Sequence, residues 1–373
     1  MKSEPLYVFM QPQSRNCYWT NNIREGIRNA AKQWQDVICT LDLISAETLP
    51  ILTNLPVLVV GNDSRWLENA LSQLMSRGAQ PVVVNASMLP GRRFRCSGVV
   101  FELEEMMLHC IEMLRRSGHK HTVLLGVNPA SVTDKVKCDF FAYPEEVVWA
   151  AGRLDDCVTE FIQTLHEKNY DSVICANDTV AICLIRHLLE RGFSLPEDLY
   201  IIGMGNSYVG EKLRVPLTSI MFNYYEMGEM AVQLYHNIKN NRIPCHMMVS
   251  LPCHLVVRES APLYSSVSDS QALPMMREGE NQYFESSEVQ DIISMEAVLQ
   301  ACDETDREIL FGLAKGESCE EIAERLYFSS RAVRYRIKNL VQKCGFSSRL
   351  SLETVLKKTI LFAIDDCAEQ TRD

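Results

Sequence analysis

Arg331, Arg334, Arg336, Lys338 and Lys343 fall within thirteen positions that hold no acidic residue. The 373-residue chain around them carries a formal net charge of −11. Concentrated cations on an acidic chain suit a polyanion, because each cation that neutralises a phosphate also releases a condensed counterion. The acidic remainder argues against a protein that coats nucleic acid with its whole surface, so such binding should be local. A charge run can also be a solvated helix face, but here no acid compensates the cations. Tyr335 sits among them, where it can reach a base or phosphate or pack at the rim. Lys343, near the end of the run, also suits the negative end of a helix dipole.

Other chemistry is weaker. Cys245-His246 and Cys253-His254 are soft-metal donors, yet they flank a strand and a turn without a CxxC pair, and no metal or cofactor is expected. Asp155-Asp156 opens a helix, where acids complement the N-terminal dipole. The chain has no nucleophile elbow, phosphate loop or dinucleotide glycine fingerprint, so the expectation is a protein that is not an enzyme.

The basic run lies on one of several short helices that position it. Asp306–Ala314 reads as a helix ended by Gly316. Ser318, with Glu321 three residues on, forms a capping box that opens a helix over Cys319–Tyr327. Phe328-Ser329-Ser330 then turns the chain. Ser329 or Ser330 caps the basic helix, which runs to about Cys344 and stops at Gly345. Ile322, Ala323, Leu326, Val333, Ile337 and Leu340 form the expected core of this helix-turn-helix, with the acids on the first helix and the cations on the second.

The N-terminal part has a different rhythm. Short apolar runs at Leu6–Met10, Val37–Thr40, Pro56–Val60, Pro81–Asn85 and Gly98–Phe101 alternate with amphipathic helices. A second set runs from the strand His121–Gly126 through the helix Tyr225–Asn240 to a final strand near Met247–Val257. Such alternation implies parallel sheets covered on both faces, here as two consecutive blocks, Leu6–Phe101 and His121–Val257, with a cleft between two lobes. From about Glu259 to Gln290, Ser, Pro, Gly, Asn and Glu replace the periodicity, and the stretch reads as a tether. Helical periodicity returns at Val289–Leu299. No apolar run approaches the roughly 18–20 residues of a membrane span, and the N-terminus does not resemble a secretory signal. Fourteen scattered cysteines read as reduced thiols of a cytoplasmic chain.

Over roughly fifty residues the basic module resembles the LuxR-type helix-turn-helix family. The shared frame is REIL, LAKGES, EEIAERL, SSRAVRYRIKNLVQK and CGFSSR. The resemblance implies that the helix from Ser330 lies in the major groove of double-stranded DNA. It places Val333 and Arg334 near DNA and Arg336 and Lys338 among the helix-face contacts, with Ser330, Arg331, Tyr335 and Lys343 completing the candidate interface. It also implies that a last helix, Ser351–Phe362, often dimerises. Ala332 stands where the family usually has threonine, which removes one hydroxyl for a phosphate.

Most of Tyr7–Glu259 resembles the effector-binding domain of the lac-repressor-like family. The motifs are LRRSGHKHTVLLG, CANDTVAICLIRHLLERGFSLPEDLYIIGMGNS, VPLTSI and LPCHLVVRES. The fold this implies is the two-lobed α/β architecture of periplasmic sugar-binding proteins, followed here by a small all-α domain. The division expected is an effector-sensing domain at 1–258, a flexible linker at 259–290 and a DNA-binding domain at 291–373. Positions matching the family's ligand contacts are Trp19, Asn85, Lys137, Asn177 and Asp178. The family's Gly-Phe-Asp-Asp segment is Gly203-Met204-Gly205-Asn206, and its reading glutamine is Phe222, so Gly205, Asn206 and Phe222 join the candidate set with fewer polar readers. Asn177 and Asp178 can also simply cap the helix they precede, and Trp19 can be core. The helix after Lys137 reads as truncated.

Together these readings describe a one-component transcriptional regulator, a homodimer that senses a small molecule, a carbohydrate or another metabolite, with no membrane partner. The alternative is a response regulator controlled by phosphorylation or a protein partner, in which the α/β region binds no sugar. It is disfavoured because QPQSRNCYW, after the first strand, holds no acid.

Overall fold

The computed structural model describes residues 5–41, 52–85, 96–240, 245–263 and 286–360. Among them two six-stranded sheets form two lobes. The first contains β1 (Pro5–Met10), β2 (Val37–Leu41), β3 (Pro56–Val60), β4 (Gln80–Val84), β5 (Ser97–Phe101) and β11 (Met248–Leu251), in the order β11-β5-β4-β3-β1-β2. The second contains β6 (Thr122–Val127), β7 (Val147–Trp149), β8 (Ser172–Cys175), β9 (Tyr200–Met204), β10 (Thr218–Met221) and β12 (His254–Val256), in the order β12-β10-β9-β8-β6-β7. Every ladder is parallel except β10–β12, which is antiparallel. The strands β3, β6 and β8 are buried along their whole length, as their unbroken apolar runs require.

The helices are α1 (Tyr18–Trp34), α2 (Ser64–Ser76), α3 (Leu103–Arg116), α4 (Val132–Asp139), α5 (Leu154–Lys168), α6 (Asp178–Glu190), α7 (Tyr208–Glu211) and α8 (Tyr224–Asn240). Five more follow: α9 (Ser287–Ala301), α10 (Glu304–Ala314), α11 (Cys319–Leu326), α12 (Ser330–Lys343) and α13 (Arg349–Ile360).

The two lobes are not two consecutive blocks. α3 packs with the second lobe, whereas α8 lies on β3, β4 and β5 of the first. The single strand expected near Met247–Val257 is two, β11 in the first sheet and β12 in the second. Pro252 and Cys253 separate them. The chain therefore crosses between lobes three times, after β5, after β10 and after β11. A proline cannot donate to a ladder, so the change of sheet falls where pairing is already interrupted.

Two glycines set the packing of α1 on α8. A Cβ built on Gly26 would stand 1.9 Å from the Tyr225 carbonyl oxygen, and one on Gly228 would stand 2.1 Å from that of Ile23. The two helix backbones touch at reciprocal glycine positions, a distance no other residue permits.

In the C-terminal part the capping box is formed as expected. Ser318 Oγ accepts from Glu321 N, and Glu321 Oε2 accepts from Ser318 N at 2.6 Å. Such a cap is worth about 1 kcal/mol. Ser329 caps α12, and Gly345 follows it with φ +74°. Ile309, Leu310, Leu313, Ile322, Val333, Ile337, Leu340, Leu352 and Leu356 are buried together.

The stretch expected to be a tether lies mostly outside the described residues, at 264–285. Its two ends are ordered. Ser260 Oγ donates to Ile201 O, and Ser286 caps α9, which takes up 287–290. Val289, Ile292, Met295, Val298 and Leu299 of α9 are buried and spread over about half of the helix's circumference, wider than the stripe of a helix covered on one side. Their cluster joins α5 and α6 of the second lobe to α10, α12 and α13 in one continuous core.

Candidate ligand cleft and nucleic-acid interface

The ends of β3, β4, β5, β6, β8, β9 and β10 meet at a cavity of about 210 Å³ between the lobes. These are the carboxyl ends of parallel strands, where open α/β sheets leave room for ligands. The floor is aromatic and built on the crossings. Phe101 lies 5.0 Å from Phe222 and 5.4 Å from Tyr224 between ring centroids, and Tyr224 meets Tyr18 and Trp19 at 6.2 and 6.4 Å. Burial pushes the Tyr224 hydroxyl far up, and it pushes Tyr18 up to about 12 with help from the Glu296 carboxylate.

Polar groups line the walls. Asn62 and Asn85 come from the first lobe, and Asn128, Ser131, Lys137 and Asn177 from the second. Asn85 has φ +67°, a left-handed conformation that asparagine tolerates, and donates its backbone N–H to Val99 O. Lys137 is 7% exposed, with Nζ donating to Asp134 Oδ1 at 2.5 Å and Ala176 O at 2.6 Å. An ammonium has three donors, so one remains for the cavity. On one side the lobes are latched by backbone. Ser64 N donates to Ala130 O and Val132 N to Asn62 O, both at 2.8 Å.

Seven of the eight expected cleft residues, namely Trp19, Asn85, Lys137, Asn177, Asp178, Gly205 and Phe222, line this cavity. Asn206 does not. Its N–H donates to Ser219 Oγ and its Oδ1 accepts from Arg258 at 2.7 Å, which turns it into the second lobe. Asp178 lines the wall, but both its oxygens are committed, Oδ1 to Ser219 Oγ and Oδ2 to Ser207 N, each at 2.6 Å. Burial raises its carboxyl and those bonds counter the rise. A Cβ on Gly203 would stand 2.3 Å from Asp178 Oδ1, so this carboxylate and its glycine are fitted to each other. Asn177 Oδ1 accepts from Val180 N and caps α6. Trp19 also packs on the first lobe's core. The short helix expected after Lys137 instead carries it: Lys137 lies in the last turn of α4, which has 8 residues and ends at Asp139.

Sequence reasoning missed Tyr18, Phe101, Tyr224, Asn62 and Asn128. Asn128 directly follows the apolar strand β6 and Asn62 follows β3 after one intervening residue, a signal that was available. It also missed Ile293 and Glu296, which reach the cavity from α9. No local pattern marks them.

The nucleic-acid candidate is α12. Arg331, Arg334, Tyr335 and Lys338 are exposed at i, i+3, i+4 and i+7, one outward stripe, opposite buried Val333, Ile337 and Leu340. Val333 is 1% exposed, so it is core and cannot be the DNA contact expected of it. Arg334 pairs with Glu320 across the turn. Arg336 binds Asp303 at 3.0 Å and Asp306 at 2.6 Å, and Lys343 donates to Ala301 O. Those two cations clamp α12 onto α9 and α10. Arg331 and Lys338 form no ion pair with any described residue. Ser330 is half-buried in the first turn, and Tyr327 and Phe328 are exposed beside the stripe. Among the described residues no group of three His, Cys, Asp or Glu is placed to hold a metal.

Residues 111–261 match the family model for a periplasmic binding protein-like domain, and residues 304–355 match that of the bacterial regulatory proteins of the luxR family. The chain carries a periplasmic binding protein-like domain followed by a LuxR-type domain. A stretch of 90 residues is 31% identical to the NTD biosynthesis operon regulator NtdR of Bacillus subtilis (strain 168), covering 24% of this chain and 27% of that one. Across such relatives the match spans between 25% and 61% of their length. Among solved structures, a transcriptional regulator CelR–cellobiose complex superposes with a TM-score of 0.56 at 18% identity, over 69% of this chain and 86% of that one. The lac repressor dimer bound to operator and the anti-inducer ONPF gives 0.56 at 16% identity, over 70% and 95%. At these identities the structures show the two-lobed fold. The α/β architecture with a small all-α domain behind it is thus as expected.

Proposed function

We propose that this chain is a one-component transcriptional regulator that senses a small molecule between its lobes and binds double-stranded DNA through α12. The observation that carries the reading is the outward stripe of Arg331, Arg334 and Lys338 on the second helix of a LuxR-type helix-turn-helix. Two of these cations have no acidic partner among the described residues, which leaves them for phosphates.

The division we propose is a sensor over 1–258, a connection over 259–290 and a DNA-binding domain over 291–373, with α9 contributing to both ends. A homodimer is proposed because a structural neighbour is a dimer on its operator, and two recognition helices would then face two half-sites. No described helix is long and apolar enough to cross a membrane, and a cytoplasmic location fits a DNA-binding role.

The cleft would hold a small polar molecule with one flat apolar face, resting on Phe101, Phe222 and Trp19 under the amides of Asn62, Asn85 and Asn128. A sugar ring has this character, and a structural neighbour holds cellobiose. Binding rather than turnover is assigned to the site because the carboxylates of Asp134 and Asp178 are spent on internal hydrogen bonds.

A thermal-shift screen of the full chain against sugars, polyols and aromatic metabolites tests the sensor, with a shift of several degrees expected from one class. No shift from any class, together with no salt-dependent DNA binding, would overturn the reading.

A further inference from the structure

Helix α9 lies between the two matched ranges, 111–261 and 304–355, yet it touches everything that matters. Glu296 is 7% exposed, and its two oxygens accept Tyr208 N and Val209 N of the second lobe, each at 2.9 Å. Two turns earlier, Glu288 accepts from Arg186 at 2.8 Å and stands 3.6 Å from His187 Nε2. Ile293 and Glu296 both line the cavity. From the opposite side Arg307 donates to Leu299 O, Lys343 to Ala301 O, and Lys358 lies 3.5 Å from Asp291. The helix is thus a wall of the cleft, a fixture of the second lobe and the seat of the DNA-binding domain.

Resting on the reading of this cleft as an effector site, we propose that α9 completes that site with Ile293 as a ligand-contacting residue and Glu296 as a second, through the acceptor site its carboxylate keeps beyond the bonds from Tyr208 N, Val209 N and Gln300 Nε2. Entry to the cleft and docking of the DNA-binding domain are then one equilibrium. A ligand contact with Ile293 or Glu296 exists only while α9 is docked, so an occupant that fits beneath the helix draws the DNA-binding domain down. Removing α9 opens the cleft wall and frees the DNA-binding domain in the same step. Glu288 is the useful handle, because it anchors α9 to α6 and does not line the cavity.

The test uses the full chain and no effector, so a failed effector screen leaves its outcome readable. Cleft access is measured as the rate at which iodoacetamide alkylates Cys17, a cavity-lining thiol, normalised to exposed Cys245 by peptide mass spectrometry. The thiolate displaces iodide and keeps the carboxamidomethyl group. Docking is measured as amide exchange across 292–299. Glu288→Lys, which sets a cation against Arg186 and His187, is expected to raise both rates tenfold or more. Glu288→Gln, the milder change, raises both by a smaller and matching factor. Faster exchange in α9 with Cys17 alkylation within twofold of the parent would overturn the proposal. So would unchanged exchange in both variants.

Discussion

The two lobes share a fold and differ in what closes their cores. The first is closed almost wholly by its own parts, with one cluster on each face of its sheet built from its own strands and from α1, α2 and α8, and Val132 of α4 entering one of them from the second lobe. The second is not. One of its clusters continues through Val289, Ile292 and Leu299 into Leu313, Leu340 and Leu356 of the LuxR-type domain. The difference teaches which part moves. While α9 is docked the second lobe and the LuxR-type domain share one core, so the first lobe is the part left to turn against them, about the three crossings.

The comparison can be broken at either end. Gly228→Val should be the most damaging single change, since its side chain would overlap the Ile23 carbonyl and force α1 from α8. Overpacking on this scale should cost about 3–5 kcal/mol by urea unfolding. Amide exchange should rise in β1 and β3 while β6, β8 and α10 keep their protection; equal loss in both lobes would contradict the asymmetry. Leu313→Ala, in the buried core of α10, should cost about 2–4 kcal/mol. If the core is shared, exchange rises in α5 and α6 as well as in α10, with β1 and β3 unaffected.

The output is tested by Arg331→Ala with Lys338→Ala. Operator binding should fall about tenfold or more, and the salt slope by about 0.9 for each phosphate no longer neutralised. Lys343→Ala should leave the slope in place, because that side chain is spent on Ala301 O. An unchanged slope in the double variant would remove α12 from the DNA.

The smallest expected effect is a pH dependence at α9. Burial pushes the Glu288 carboxyl up, but the His187 contact and the Arg186 charge outweigh it and hold it below its ordinary value of 4.5. A depressed carboxylate stabilises docking above that value and loses its contribution as pH falls through the lower one. Asp155 of α5 opposes it weakly. Glu296 runs the other way, its carboxyl raised by burial, so its effect favours docking as pH falls from neutral. The difference between the parent and Glu288→Gln isolates Glu288. It should be small, seen as α9 protection lost in the parent alone as pH falls below 4.5.

Much of this was legible in the residues. Val57–Val60 and Val123–Leu125 announce buried strands by unbroken apolar runs, and Ser318 with Glu321 announces a helix start; both are local signals. Most of the cleft set was placed by resemblance, because strand-end loops keep their register when the strands do. What was illegible is set by partners far away in the chain. Asn206 looks like a ligand reader until Arg258 takes it. Arg336 looks like a phosphate contact until Asp303 and Asp306 are brought beneath it. The break between β11 and β12 is a change of sheet, which hydrophobicity alone does not reveal. Residues 287–290 share the tether's composition and nonetheless begin α9, whose packing outweighs that signal.

The reciprocal glycines and the shared core carry a lesson for anyone recombining such proteins. A breakpoint drawn between the two recognisable domains would leave α9 with one parent and half of its neighbours with the other. A transplanted LuxR-type domain would have to present apolar side chains matching Leu313, Leu340 and Leu356 to it, or arrive with nothing to sit on. Compatibility between input and output is written in fifteen residues that neither family's pattern includes.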